Sequence, residues 1–334
     1  MEKLTISDIA SLANVSIATV SNYLNGNYQK MSAKTRKHLA EIISQTNYRP
    51  NGTARNLAKN ENKTIGVSIA DITNPFTSPI MSGIYEVCDQ FGLKVLFTNA
   101  DNNPQNEINN ILRLKSENVA GFIIDPVNVN SSIFKSFSNN TTVIVDRQSQ
   151  HPEIDTIVTD NSKSVYKMIQ EMLKKGYDEL YFVSWPLDAV STRILRYQGF
   201  LDATNYPVGT HLITVPHLGE QKLYDDFNKQ INTIMKDRNG KKVGFFCMNA
   251  QVFIRLVKAM QLGGYNYPAD YGLATYEEFD WMKLLRPSIS CIQQDSKKIG
   301  IEAATLLKDK LEKQITRTAE IKVVPTKLII NGSF

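Results

Sequence analysis

Eight of the first 60 residues are Lys or Arg (Lys3, Lys30, Lys34, Arg36, Lys37, Arg49, Arg55 and Lys59), and only three are acidic. That segment holds the whole formal net charge of +5, because the other 274 residues balance thirty basic against thirty acidic groups. Cations gathered on one short module suit phosphate, so a polyanion is the partner such a head would attract; an ordinary solvated face is the competing reading. The residue types that do covalent or metal chemistry are present but are not spaced for it. His38, His151, His211 and His217 show no metal spacing, and Cys88, Cys247 and Cys291 form no C-x-x-C pair. There is no G-x-G-x-x-G after the first strand candidate, no P-loop, no G-x-S-x-G and no H-E-x-x-H. The expectation is a binding protein rather than an enzyme, with no cofactor and no metal.

A second group of residues gains its meaning from position. Polar or aromatic side chains stand just after strand candidates: Asn74 and Phe76 in D-I-T-N-P-F, Asp146-Arg147, Asn249 and Glu277. In an open α/β sheet this is where ligands bind. D-I-T-N-P-F also suits a plain turn into a Pro-started helix, and Asp146-Arg147 suits a salt bridge.

The elements that must position these residues fall into a head and a body. Thr5-Ile-Ser-Asp8 has the form of a capping box, followed by Ile9, Ala10, Leu12 and Ala13 at helical spacing. This predicts a helix from Ile6 that stops at Asn14, a residue type that tolerates the left-handed conformation. Ser16 then caps a second helix through Ile17 to Leu24, ended by Asn25-Gly26, and a third runs from after Ser32 to about Gln45 with Leu39, Ile42 and Ile43 on one face. Three helices in about 45 residues, with a tight turn between the first two, describe a helix-turn-helix. The second helix is uncharged at Ile17, Ala18, Ser21 and Asn22, where small or polar side chains suit base edges; Lys34, Arg36, Lys37 and the segment from Arg49 to Lys59 would supply phosphate contacts. A small protein-docking domain is the alternative for this head.

From Thr64 onward, short β-branched or aromatic runs alternate with amphipathic stretches. Strands are expected at 65–70, 94–99, 121–125, 142–146, 180–185, 211–215, 243–248, 271–275, 290–294 and 321–330, with helices such as 75–91, 162–175, 192–203 and 251–262 between them. The pattern is parallel α/β and too long for one ordinary domain, which predicts two doubly wound subdomains with a cleft between them. With 42% hydrophobic and 21% charged residues the chain is neither disordered nor fibrous; no apolar run reaches about 18 residues, and the N-terminus is too polar for a signal-peptide core. No membrane partner and a reducing cytoplasm are expected.

T-I-S-D-I-A-S-L-A-N-V-S-I-A-T-V-S-N-Y-L-N-G, then M-S-A-K-T-R, then N-Y-R-P-N-G-T-A-R-N-L-A resembles the head of LacI/GalR-family transcription repressors over residues 4 to 58, and the likeness of the body runs to about residue 330. The resemblance implies an α/β fold with an N-terminal helix-turn-helix head (1–49), a hinge helix (50–60) and a periplasmic-binding-protein-like core (61–334). The core would hold two doubly wound parallel-sheet subdomains, one from 61–160 and 292–322 and the other from 161–291 and 323–334. It implies major-groove contact by Ile17, Ala18 and Asn22, and a hinge of Asn51 to Ala58 that folds on the operator with Leu57 wedged into the minor groove. Thr5, Ser16, Ser21, Asn25, Lys34, Thr35, Tyr48, Asn51, Ala54 and Arg55 complete the DNA-binding set. Asn14 stands where the family usually has Gly, and Asn22 where it often has Arg, which favours adenine over guanine at one operator position.

In the body the resemblance gives effector contact to Asn74, Phe76, Asp146, Arg147, Asn249, Glu277 and Gln294, with Arg196 of R-Y-Q-G-F gripping hydroxyls or a carboxylate. Ala250 replaces the family's Asp after Asn249, and Glu277 keeps a carboxylate with one extra methylene. Trp281 faces the same region and suits core packing better than ligand contact. The finer likeness, across Y-Q-K-M-S-A-K-T-R and T-N-A-D-N-N-P-Q-N-E, is to the subgroup that controls 2-keto-3-deoxygluconate and related sugar-acid metabolism. Double-stranded operator DNA, a small sugar or sugar-acid effector and a second copy of the chain are the implied partners. A sugar-acid kinase or dehydrogenase would need a phosphate or dinucleotide loop, and a transport binding protein would need an export signal but no head.

Overall fold

The computed structural model describes residues 4–48, 63–149, 152–188, 190–216, 221–313 and 317–334. The chain divides into two compact units, Met1–Lys63 and Thr64–Phe334.

The first unit is built from three short helices, α1 (Ile6–Ala13), α2 (Ile17–Leu24) and α3 (Ala33–Thr46). Each start is fixed locally. The Thr5 hydroxyl accepts from the Asp8 amide while the Asp8 carboxylate accepts from the Thr5 amide at 2.7 Å, closing both sides of the capping box. Ser16 and Ser32 accept from the amides of Thr19 and Thr35, each at 3.1 Å. Asn14 ends α1 in the left-handed conformation (φ 50°, ψ 46°), so the family's glycine is not required for that turn. Ile9, Ala10, Ala13, Val20 and Leu39 form the core, with Ile42 and Ile43 packed against it. Leu12 departs from the expectation: it is 56% exposed. At about 100° per residue it points roughly 110° from the middle of the stripe made by Ile6, Ile9, Ala10 and Ala13, too far round to share their burial.

The second unit holds two six-stranded sheets. The first has the order β11-β5-β4-β3-β1-β2, from Ile321–Val324, Thr156–Thr159, Thr142–Val145, Gly121–Ile124, Thr64–Ile69 and Lys94–Asn99, all parallel. The second has the order β12-β10-β9-β8-β6-β7, from Lys327–Ile329, Ser290–Gln293, Gly272–Tyr276, Val243–Cys247, Glu179–Ser184 and Leu212–Thr214. It is parallel except for β12, which runs antiparallel to β10. The helices are α4 (Thr77–Gln90), α5 (Pro104–Ser116), α6 (Asn161–Lys174), α7 (Ser191–Thr204), α8 (Gln221–Lys236), α9 (Ala250–Leu262) and α10 (Ser296–Lys313).

Two local expectations need correction. The run 321–330 is not one strand: Pro325, which has no amide to give a ladder, separates β11 in the first sheet from β12 in the second. The short, wholly buried β5 was not foreseen at all. The chain therefore passes between sheets three times, after Thr159, after Gln293 and after Val324. The second and third passages fall one or two residues beyond the boundaries at 292 and 323 read from sequence.

The strand orders reverse direction between β1 and β3 in one sheet and between β6 and β8 in the other. At such switch points neighbouring loops diverge and leave a crevice beyond the strands' carboxyl ends.

Candidate functional site

On the first unit, α2 presents a face of exposed Ile17 (50%) and Ala18 with half-buried Ser21 and Asn22. Asn25 donates to the Ser21 carbonyl at 2.8 Å, which anchors the end of α2. The hydroxyls of Thr5, Ser16 and Thr35 serve the helix caps, and Tyr48 packs against the head's core. Lys34 is exposed at the start of α3. Arg36 lies over the Tyr28 ring at 3.8 Å, a stacking that holds the guanidinium in place. Asn51, Ala54, Arg55 and Leu57 lie outside the described residues.

On the second unit a cavity of about 290 Å³ opens between the two sheets, lined at the carboxyl ends of β1, β3, β4, β6, β8 and β9. Seven of the nine positions named from sequence line it: Asn74, Phe76, Asp146, Arg147, Arg196, Asn249 and Glu277. Asn74 accepts from the Phe76 amide at 3.2 Å, so it turns the chain, and Phe76 forms a buried wall. Asn249 caps α9 by accepting from the Val252 amide at 2.9 Å.

Arg196 is 4% exposed and tightly held. Its Nε donates to Asn161 at 2.9 Å, its Nη1 donates to the Met248 carbonyl at 2.8 Å, and its plane lies 3.5 Å from the Tyr276 ring. That placement depends on Gly199, one turn along α7: a Cβ there would sit 2.1 Å from the Ser162 carbonyl oxygen of α6. The glycine of R-Y-Q-G-F thus lets α7 lie against α6, and Asn161 is the residue beside Ser162.

Glu277 and Asp146 both adopt positive φ, 80° and 66°, conformations that cost non-glycine residues energy and are kept where the surroundings demand them. The Glu277 carboxylate accepts from the Ala250 amide at the start of α9, at 3.2 Å. Burial pushes Glu277 up to about 7, against the pull of Arg196. Burial likewise raises Asp146, opposed by Arg196 and Arg147.

Gln294 and Trp281 are not in this cavity. Gln294 accepts from the Thr159 hydroxyl at 3.1 Å where the chain passes between sheets, and its Nε2 is buried with no partner. Trp281 packs between Phe253 and Phe279. The cavity also takes in residues the sequence reading did not single out: Asp71, Asn102, Asp125, Trp185 and Arg193 among them. Asp125 and Trp185 end strand candidates as Asn249 does, and Arg193 precedes Arg196 by one helical turn, so position alone could have found them. Arg193 donates to the Pro186 carbonyl at 2.6 Å; burial, with Arg147 and Arg196 nearby, lowers it to about 10.

Among the described residues no helix is long and apolar enough to cross a membrane. Residues 5–51 match the family of bacterial regulatory proteins of the lacI family, and residues 62–331 match the periplasmic binding proteins and sugar binding domain of the LacI family. The chain is 29% identical over 310 residues to the HTH-type transcriptional regulator KdgR of Bacillus subtilis, covering 92% of this chain and 91% of that one. It is 29% identical over 337 residues to the regulator PtxS of Pseudomonas putida, covering 99% and 96%. In fold it is similar to the lac repressor dimer bound to operator and the anti-inducer ONPF, with a TM-score of 0.83 at 19% identity over 99% of each chain. A helix-turn-helix head joined to this two-sheet core, matched in both parts, makes the chain a member of the LacI family, a DNA-binding transcriptional regulator rather than an enzyme.

Proposed function

We propose that the protein is a cytoplasmic, homodimeric repressor whose operator affinity is set by one small sugar acid held in the core cavity, with 2-keto-3-deoxygluconate as the leading candidate. The observation that carries this reading is the meeting of three guanidinium groups, Arg147, Arg193 and Arg196, on one cavity of about 290 Å³. Ligand pockets usually run from about 300 to 1,000 Å³, so this one suits a single monosaccharide-sized molecule. Its acids do not cancel the three cations fully, because burial drives Asp125 and Glu277 towards neutrality. Arg196 and Arg147 would bind the carboxylate, with Arg193 adding charge, while Asn74, Asn249, Asp146 and Glu277 hold hydroxyls against the wall of Phe76.

On the DNA side, Ile17, Ala18 and Asn22 read bases and the cations of the head hold phosphates, while residues 51–58 fold on the operator with Leu57 as the wedge. Two copies of the head on palindromic half-sites require a dimer. Effector and operator binding are then linked reciprocally, typically by about 1–3 kcal/mol. A mobility-shift titration on the operator, with and without 2-keto-3-deoxygluconate, combined with calorimetry against neutral sugars, tests this. Equal affinity for ribose or glucose and for the acid would make the arginines hydroxyl clamps and refute the anionic effector.

A further inference from the structure

Asp125 follows β3 and Asp146 follows β4, neighbouring parallel strands, so the register brings both carboxyl groups to the same end of the sheet. Asp125 is more than nine-tenths buried and lines the cavity. Its Oδ2 accepts one long hydrogen bond, from the Ala70 amide at 3.4 Å, and its Oδ1 has no partner. A buried carboxylate needs several donors or a close cation to remain charged.

The groups that face Asp125 do not provide that. Arg147, beside Asp146, directs Nη1 to the Val127 carbonyl at 2.7 Å and Nη2 to Asn102 at 3.4 Å, and its Nε is buried without a partner. Its charge is shared with Asp146 and with Glu107 of α5, whose Oε2 is also buried and unpartnered. Across the cleft, Arg196 of α7 faces Asp146 and Glu277, Arg193 is a further cation, and Asp71 beyond β1 accepts from Asn102 at 3.0 Å. Four carboxyl groups therefore line the cavity with three guanidiniums, and of these four Asp125 is the one with an oxygen that is both buried and unpartnered.

We propose that Asp125 holds a proton in the cleft and donates it in a hydrogen bond to an anionic effector, so that effector and proton are bound together. This rests on the reading of the effector as an acid. A neutral carboxyl group has an O–H to donate, and the oxygen-rich ligand supplies the acceptor that the cavity itself lacks. Burial, with Asp146 and Glu107 adding to it and Arg147 opposing, places the group at about 7 before any ligand enters. A bound anion adds like charge and raises it further. Binding is then tightest below that pH and weakens as the pH rises through the value in the complex, approaching a tenfold loss per pH unit.

The test is calorimetric titration of the full-length protein with 2-keto-3-deoxygluconate near neutral pH, in two buffers of different ionisation enthalpy. Uptake of about half a proton by Asp125 is expected, since a group at about 7 is half protonated beforehand. Asp125→Asn should lower the uptake by about half a proton and weaken the dependence of affinity on pH, the remainder coming from Glu277, which burial also places at about 7 on the same cavity. Binding of the acid by the wild type without proton uptake would overturn the proposal, as would uptake undiminished in Asp125→Asn. No binding of the acid, or binding no tighter than that of neutral sugars, would overturn the anionic-effector reading and this inference with it.

Discussion

Substitution of Gly199 by alanine isolates the packing that positions Arg196. The added methyl group would lie 2.1 Å from the Ser162 carbonyl oxygen, and that oxygen belongs to a helix backbone that cannot rotate away. An ordinary carbon–oxygen contact is about 3.3 Å, so α7 must retreat from α6 by about 1 Å. The neighbouring bond from Arg196 to Asn161, now 2.9 Å, would lengthen to about 4 Å and cease to be a hydrogen bond. Overpacking of this kind costs about 1–3 kcal/mol of stability, a fall of roughly 2–10 °C in the melting of a core of this size. Loss of one charge-assisted bond costs about 1.5–3 kcal/mol, so effector affinity should fall by about 10- to 100-fold. Operator binding without effector should be unchanged. The assays are thermal unfolding and calorimetric titration with the sugar acid. A variant that melts within about 1 °C of the wild type and binds effector within about twofold would show that the α6–α7 contact does not hold Arg196 in place.

Three further outcomes are expected. A fragment from Lys63 onward should bind effector but no operator, because the net charge and the helix-turn-helix both lie before it; retention of specific operator binding in a gel-shift assay would refute this. Asn22→Arg should move the preference at one operator position from adenine towards guanine by about 1–3 kcal/mol, as read by selection from randomised operators; an unchanged site would show that α2 does not read that base. Arg196→Lys keeps the charge but loses the planar fork that serves both Asn161 and the Met248 carbonyl, so calorimetry should show effector affinity weakened by about 1.5–3 kcal/mol while gel shifts show the operator still bound.

The head was legible in the sequence because its determinants are local. Thr5 and Asp8, Ser16 and Thr19, and Ser32 and Thr35 are each three residues apart, and Asn14 settles its turn by its own side-chain type. Leu12 misled because helical spacing was read without the angle it makes to the stripe. In the core, positions after strand ends carried the cleft, which is why Asn249 and Glu277 could be found. The resemblance put the passages between sheets within two residues of where they fall, but residue spacing alone did not show that one run of β-forming residues is shared between two sheets. The run K-V-V-P-T-K-L-I-I reads as continuous, yet its two halves pair with Thr156–Thr159 and with Ser290–Gln293 in different sheets. Asp125 could have been placed at the cleft by the same strand-end rule, but its want of donors depends on where Arg147 directs its nitrogens, and that is a tertiary fact.

Gln294 shows what the cleft and the passages between sheets have in common. The resemblance put it in the effector site; it lies outside the cavity that holds Arg196 and lines a neighbouring one, which Phe76 and Glu277 also border. Thr159 donates to Gln294, and its hydroxyl lies 3.3 Å from that of Tyr276; the Tyr276 hydroxyl also reaches the Asp160 carbonyl, 3.3 Å away. The ring of the same tyrosine lies under the Arg196 guanidinium. Thr159 and Gln294 stand at two of the three passages that join the sheets, so Arg196 is connected to the first through Tyr276 and to the second through Tyr276 and Thr159. A ligand can bias a conformational equilibrium only through contacts that differ between its states. A sugar acid that shifts Arg196 by even a fraction of an ångström would disturb the stacking on Tyr276, and with it the hydrogen bonds where the chain passes between the two sheets. On the proposed reading, recognition of the effector and the geometry of the passages between sheets would belong to one bonded cluster, which would give the linkage between effector and operator a physical route to follow.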